Sequence, residues 1–291
     1  VGGDHDRDRD DRVARRRAAL RSGGGLIVPS VPYGRILATQ MRVSMMTAMQ
    51  YRADFVIEGL MSVYWLGWNL LPLIVLYADR SSVAGWDYPS ALIVIGWFVV
   101  LRAVLEGVIT PSLVETVQRI RSGSFDYVLL KPVDAQFMVS IARFVPWRII
   151  DLLGGFALVV YAFYRLGRPP AIEHVAAGLL LLVAGALVMY AMWMMVVAAS
   201  FWVVRLDNLT YLLNALFDTA RWPVHVFRGA WRIVFTFVLP LALMTTYPAM
   251  AVLGRIDLAV AAGCVGGAIG LLVVSRLVWR LAIRSYTSAS S

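Results

Sequence analysis

The sequence predicts an all-α integral membrane protein, and three observations lead there. Hydrophobic residues fill 60% of the 291 positions and charged ones only 15%, with a mean hydropathy of +0.72. Soluble domains carry roughly 45–50% apolar and about 25% charged residues, so this chain has too little polar surface to coat itself in water. Several apolar runs reach the roughly 20 residues needed to cross a hydrocarbon core about 30 Å thick. The 27 basic residues, all arginine except Lys131, are spread between those runs. That distribution sets aside nucleic-acid binding, which needs its cations on one water-facing patch.

Residues 1–34 differ from the rest. Asp4 to Arg12 alternate acid and arginine, Arg15, Arg16 and Arg17 follow, and Gly23, Gly24 and Gly25 end the segment. Nothing there can bury a face, so a disordered cytoplasmic tail is expected. No apolar run follows the arginines, unlike a signal peptide. From 35 to 54, Ile36, Met41, Met45 and Met49 oppose Arg35, Arg42 and Arg52, the pattern of a helix lying in the membrane interface.

Spans are expected at 57–77, 91–110 (closed by Pro111), 149–166, 175–204 and 258–279. The fourth, at 30 residues, must tilt or project. Between it and the last lies an ambiguous stretch. Residues 207–228 are weakly apolar and carry Asp218, Arg221 and His225; residues 231–253 are strongly apolar but broken by Pro240 and Pro248. In one arrangement 207–228 is a cytoplasmic interfacial helix and 231–253 crosses. In the other 207–228 crosses and 231–253 is a re-entrant hairpin on the outer side. Both give six crossings.

Basic residues concentrate on the cytoplasmic side. With the amino terminus inside and the tail left out, the inner segments hold Arg35, Arg42, Arg52, Arg119, Arg121, Lys131, Arg143, Arg148, Arg205, Arg221, Arg228, Arg232, Arg276, Arg280 and Arg284. The outer loops hold only Arg80, Arg165, Arg168 and Arg255. Both termini are therefore expected in the cytoplasm. The re-entrant arrangement moves Arg221, Arg228 and Arg232 outside and weakens the asymmetry, which tips the choice slightly toward the first arrangement.

Catalytic signals are missing. A phosphate-cradling loop of the form G-x-x-x-x-G-K-[ST] needs a lysine, and the single lysine, Lys131, precedes Pro132; an ATP motor would have to be another chain. There is no H-E-x-x-H or G-x-S-x-G. His5, His174 and His225 are far apart, and Cys264 stands alone in an apolar run, so no metal site, disulfide framework or cofactor is expected in this chain. His225, beside Pro223, is expected to be interfacial. Ionisable groups within spans are functional candidates because each costs roughly 2.5–3.5 kcal/mol at the bilayer centre. Arg102 and Glu106 share a helical face four residues apart and can pair with each other or with another helix. Asp151 follows Arg148 by three near the inner end of the third span. Pairing at a helix seam and a substrate or proton path both fit these residues. Glu58 lies at a span end, where charge costs little.

The segment between the second and third spans is the most informative. Pro111 to Ser122 reads as a short amphipathic helix stopped by Gly123, and Ser124-Phe125-Asp126-Tyr127-Val128-Leu129-Leu130-Lys131-Pro132 follows. The order isoleucine-arginine-small-glycine, aspartate, leucine, basic-proline resembles the inner loop of ABC type-2 exporter permeases. Ala220-Arg221-Trp222-Pro223, Phe237 to Ala242 and Tyr247-Pro248-Ala249 match further, and the resemblance covers about 35–291. It implies a type-2 transmembrane domain with a cytoplasmic coupling helix at roughly 112–122. Val117, Ile120, Arg121, Gly123, Asp126, Lys131 and Pro132 would then meet an ATPase subunit. It also implies two ATPase copies carrying ATP and magnesium, and a second permease, identical or homologous. The setting would be a bacterial cytoplasmic membrane. A non-catalytic permease with an amphiphilic or lipid-like cargo is the expectation; a membrane scaffold or an intramembrane enzyme is the alternative.

Overall fold

The computed structural model describes residues 33–50, 52–202, 207–238 and 240–286. The expected disordered tail lies outside them, save Tyr33 and Gly34, which are helical. Residues up to Ile36 form one unit and Leu37 onward another, which contains the helical bundle.

The helices are α1 (Tyr33–Gln50), α2 (Arg52–Tyr77), α3 (Tyr88–Val104), α4 (Thr110–Arg121), α5 (Asp126–Leu129), α6 (Ala135–Ser140), α7 (Ile149–Leu166), α8 (Ile172–Ala199), α9 (Asp207–Asp218), α10 (Ala230–Ile233), α11 (Tyr247–Val252) and α12 (Leu258–Arg284). A two-residue hairpin, Ser82–Val83 with Trp86–Asp87, precedes α3. Five stretches are long and apolar enough to cross a membrane: Val56–Tyr77, Tyr88–Arg121, Pro146–Leu166, Ile172–Ala199 and Leu258–Arg284. The sixth expected crossing has no counterpart of that length among the described residues. The second stretch is the centre of the bundle: 78% of its apolar 18-residue window is buried, against 17% for the first and last.

The second span does not stop at Pro111. It runs through a π-helical turn, Leu105–Ile109, into α4, so the expected separate cytoplasmic helix is its continuation, 34 residues and about 51 Å in all. Proline lacks the N–H that would bond the carbonyl four residues back, and its ring crowds that carbonyl. Here the carbonyl is that of Gly107, and it accepts instead from the Val145 N–H at 2.8 Å. A wider turn plus a donor from another segment lets the helix carry a proline.

In a bilayer, helices associate through close backbone packing at small residues. The α3–α7 seam is built this way. A β-carbon on Gly155 would lie 2.8 Å from the Gly96 carbonyl oxygen and 2.9 Å from the Val100 nitrogen, both backbone. Gly155→Val is therefore expected to cost at least about 1–3 kcal/mol, whereas Gly270→Ala, with nothing within 4 Å, leaves stability unchanged. Melting of each variant in detergent checks the difference.

The ambiguous stretch resolves through its contacts. Phe217 stacks on Phe98, about 15 Å beyond the Tyr88 start of the second span, with centroids 5.2 Å apart, and the Arg221 guanidinium lies 5.7 Å from the same ring. His225 accepts from the Trp86 indole at 3.4 Å, beside the Tyr88 start of that span. The chain from 217 to 225 therefore climbs the inside of the bundle, away from the Arg121 end. This corrects the preference for an interfacial 207–228, while His225 sits at the level where the second span begins. Asp218 and Arg221 looked like surface charges, but they are neutralised inside.

Gly229, at φ 58°, then turns the chain into α10 and a π-helical turn, Val234–Val238. Beyond Pro240 a second π-helical turn, Ala242–Thr246, leads into α11. A β-carbon on Gly185 would touch the Met244 backbone, one on Gly178 would touch Val252, and one on Gly254 would meet His174. The returning limb thus runs toward the Ile172 end of α8. Thr245 donates to the Ala220 carbonyl at 2.6 Å, and Thr246 accepts from the Val224 N–H at 3.1 Å. Residues 225 and 254 lie at the same end of the bundle, which is the hairpin arrangement with its break at Pro240.

Candidate functional site

Two constellations are candidates: the segment linking the second and third spans, and the charges within the bundle.

The linking segment starts where α4 ends. Gly123, at φ 71°, supplies the left-handed residue that stops the helix, as its position in the sequence suggested. Phe125 then turns fully inward. Its ring meets Phe201 at 5.4 Å, Tyr286 at 5.5 Å and Trp279 at 6.3 Å, edge to face throughout. Such pairs add about 0.5–1.5 kcal/mol each beyond burial. Tyr286 stands beside Asp126, and burial together with that carboxylate pushes its phenol above the usual value.

A second clamp follows. Arg276 of α12 forms an ion pair with Asp134 and donates to the Gln136 side chain at 2.6 Å. Asp134 also caps α6 by accepting from the Phe137 N–H at 3.0 Å, a use of aspartate at a helix start that sequence alone can suggest. Tyr190 of α8 exchanges a hydrogen bond with Ser140 at 2.7 Å and accepts one from Gln136 at 3.1 Å. The segment is thus fastened to α8 and α12 at both ends.

The Arg276 hydrogen bond holds the Asp134 carboxyl below its usual range, against the opposing pull of burial. A depressed folded-state pKa contributes stability above the unfolded carboxylate pKa of about 4 and loses it as pH falls through the lowered value. Wild type should melt above Asp134→Asn at neutral pH, and the gap should close on acidification below about pH 4. Melting curves of both proteins from pH 7 to 3 read this directly.

Between the clamps the segment presents apolar and basic groups outward. Tyr127 is 72% and Leu130 80% exposed, followed by exposed Lys131 and Pro132. Arg121 is also exposed, but Val117 and Ile120 are half-buried and packed on the core. The outward face of α4 carries Val114 and Gln118 instead. Sequence reading missed Tyr127 and Leu130 as surface groups because it assigned the apolar face of α4 to a partner rather than to the bundle.

Within the bundle, Arg102 donates to Glu106 at 2.8 Å and lies 3.3 Å from Asp218; Arg148 reaches Glu106 at 2.5 Å and Asp151 at 2.8 Å. With Arg221 3.9 Å from Asp218, three cations and three anions form one neutral chain across α3, the start of α7 and the end of α9. Arg102 and Glu106 are about 21 and 27 Å along the helix from Tyr88, in the third of a 30 Å core nearest the Arg121 end. A cavity of about 210 Å³, lined by Trp65 and Asn69 of α2 with Arg102, Glu106, Arg148 and Asp151, opens onto them. The sequence paired Arg102 with Glu106 and noted Asp151. Arg148 as the bridge and Asp218 as a member needed the fold.

The sequence of this bundle, with its core-forming second span, clamped linking segment and hairpin, matches the family described as ABC-2 family transporter protein over residues 63–290. The chain belongs to the ABC-2 transporter family. No curated protein and no solved structure matches it. ABC-2 membership and the apolar helices make the chain a multi-pass membrane protein of the permease type, and such permeases are generally non-catalytic subunits working with an ATPase partner.

Proposed function

We propose that this ABC-2 permease is the membrane half of an ATP-driven exporter, and that Arg121 to Pro132 is the surface through which an ATPase subunit moves it. One observation carries the reading: Tyr127, Leu130, Lys131 and Pro132 are exposed on a strip that Phe125 bolts to the ends of α8 and α12. A push on a strip held this way displaces two membrane helices together, whereas a floppy loop would absorb it. Gly123 and Asp126 then act by shaping the strip, and Arg121, Lys131 and Pro132 by contact. In this proposal Val117 and Ile120 support α4 from behind.

The complex takes two ATPase copies, with ATP and magnesium bound there, and a second permease, this chain or a homologue. The chain itself carries out no chemistry. The fifth of six crossings is 207–228 and the hairpin 231–253 enters from outside, with both termini in the cytoplasm of a bacterial inner membrane. An amphiphilic or lipid-like cargo suits the apolar span set.

The test is purification in mild detergent from native membrane, followed by ATPase assay. An ATP-hydrolysing subunit should co-purify, and Tyr127→Asp with Leu130→Asp should reduce its recovery at least tenfold while the permease stays folded. Recovery of the permease alone, or undiminished ATPase on the double variant, would sink the proposal.

A further inference from the structure

An interfacial helix normally turns its apolar face to the bundle or the acyl chains and its polar face to water. Helix α1 departs from this. The side directed at the rest of the protein carries Gln40, Ser44 and Ala48, one turn apart, while Met41, Met45, Met46 and Met49 are each about half or more exposed. Polar groups directed inward need a reason, because burying them without partners costs free energy.

They face a cavity of about 320 Å³ between α1 and residues 143–147, lined by Gln40, Ser44, Thr47, Arg143, Phe144 and Trp147. Its wall is firmly set. The Gln40 amide donates to the Ala142 carbonyl at 2.5 Å, and Ser44 accepts from the Phe144 N–H at 3.2 Å. The buried Ser112 hydroxyl donates to the Arg143 carbonyl at 2.7 Å and accepts from its N–H at 3.1 Å. Three side chains thus fix the backbone around Arg143. The Arg143 guanidinium is exposed and has no acidic partner among the described residues. Ser44 keeps its hydroxyl proton to donate, and Gln40 keeps a second N–H.

Depth identifies the environment. Ser112 lies 24 residues beyond Tyr88 on a continuous helix, about 36 Å, which is past a hydrocarbon core of about 30 Å and at headgroup level. Trp147 at the rim is the residue type that anchors at that level.

We infer that this cavity is a binding site for the phosphate of an anionic glycerophospholipid from the leaflet at the Arg121 end. Arg143 supplies the charge, Ser44 and Gln40 supply donors, and the acyl chains lie along the exposed methionines of α1. A guanidinium with hydroxyl and amide donors around a small opening suits a phosphodiester, and the apolar side of α1 suits the tails. The site would fix the angle of α1 to the bundle only when such a lipid is present.

The protein is purified in mild detergent and its retained lipids counted by native mass spectrometry. Melting is then followed with added phosphatidylglycerol, phosphatidylcholine or inorganic phosphate. Wild type should retain phosphatidylglycerol and melt higher with it than with phosphatidylcholine. Arg143→Gln should retain at least fivefold less and lose the shift. Ser44→Asp, which sets a carboxylate at the opening, should do the same, and Arg42→Gln should behave as wild type. Equal retention by Arg143→Gln, equal effects of the two lipids, or a shift reproduced by inorganic phosphate alone would overturn the assignment.

Discussion

Phe125→Ala is expected to destabilise the protein by about 3–5 kcal/mol, the range for deleting a fully buried aromatic. The ring is wholly enclosed and touches Phe201, Trp279 and Tyr286, and Phe201 in turn packs on Trp279 at 5.7 Å and on Tyr286 at 5.6 Å. Removing it leaves a cavity where the linking segment, the end of α8 and the end of α12 meet, and neither helix end can close it without losing its own aromatic contacts. Phe125→Leu, which keeps most of the volume, should cost far less. Amide hydrogen exchange across 121–132 should rise in the alanine variant before the spans respond, because the segment's other clamp is an ion pair about a third exposed. If exchange there is unchanged while the protein melts as wild type, Phe125 is not the anchor. In an assembled transporter, the proposed mechanism further requires ATP hydrolysis to continue while transport fails.

Removing Glu106 is the second large effect. Its two oxygens engage Arg102 and Arg148, so Glu106→Ala leaves two guanidinium groups facing each other across a cavity within the membrane. Breaking a buried ion pair by taking one partner costs roughly 3–5 kcal/mol. The side chains here are about a quarter to a third exposed, which places the expected loss nearer 2–3 kcal/mol. Arg148→Met alone should cost a similar amount by stranding Asp151 and leaving Glu106 with Arg102 alone. The double variant Glu106→Ala with Arg148→Met restores neutrality and should be more stable than the sum of the single losses predicts, by at least about 1 kcal/mol. Strict additivity in unfolding measurements would show that the six groups do not act as one network.

The network also shows why its membership was only half legible. Arg102 and Glu106 are neighbours on one helix, and Arg148 and Asp151 are neighbours on another, so spacing alone finds each pair. Glu106 joins the pairs only because the π-helical turn and the bond from Val145 to the Gly107 carbonyl bring the start of α7 against it. Asp218 arrives from more than a hundred residues away. The apolar Phe125 was likewise visible in the linking motif but not distinguishable from Tyr127 or Leu130, since a five-residue segment has no periodicity to tell inward from outward.

Membrane residence, the five long spans and the stop at Gly123 follow from the sequence by itself, because each rests on composition, run length or one residue's backbone preference. The tertiary structure decided three things: that Pro111 does not end the second span, that 217–225 climbs inside the bundle while 230–252 folds as a hairpin, and that Val117 and Ile120 face inward. Those depend on partners far away in the chain. The Val145 N–H relieves the proline, Arg102 pairs with Asp218, the Phe98 ring lies under the Arg221 guanidinium, and the bundle covers the apolar face of α4. Hydropathy prices each residue against lipid and water, and charges or apolar faces that find partners inside the protein are the ones it must misplace.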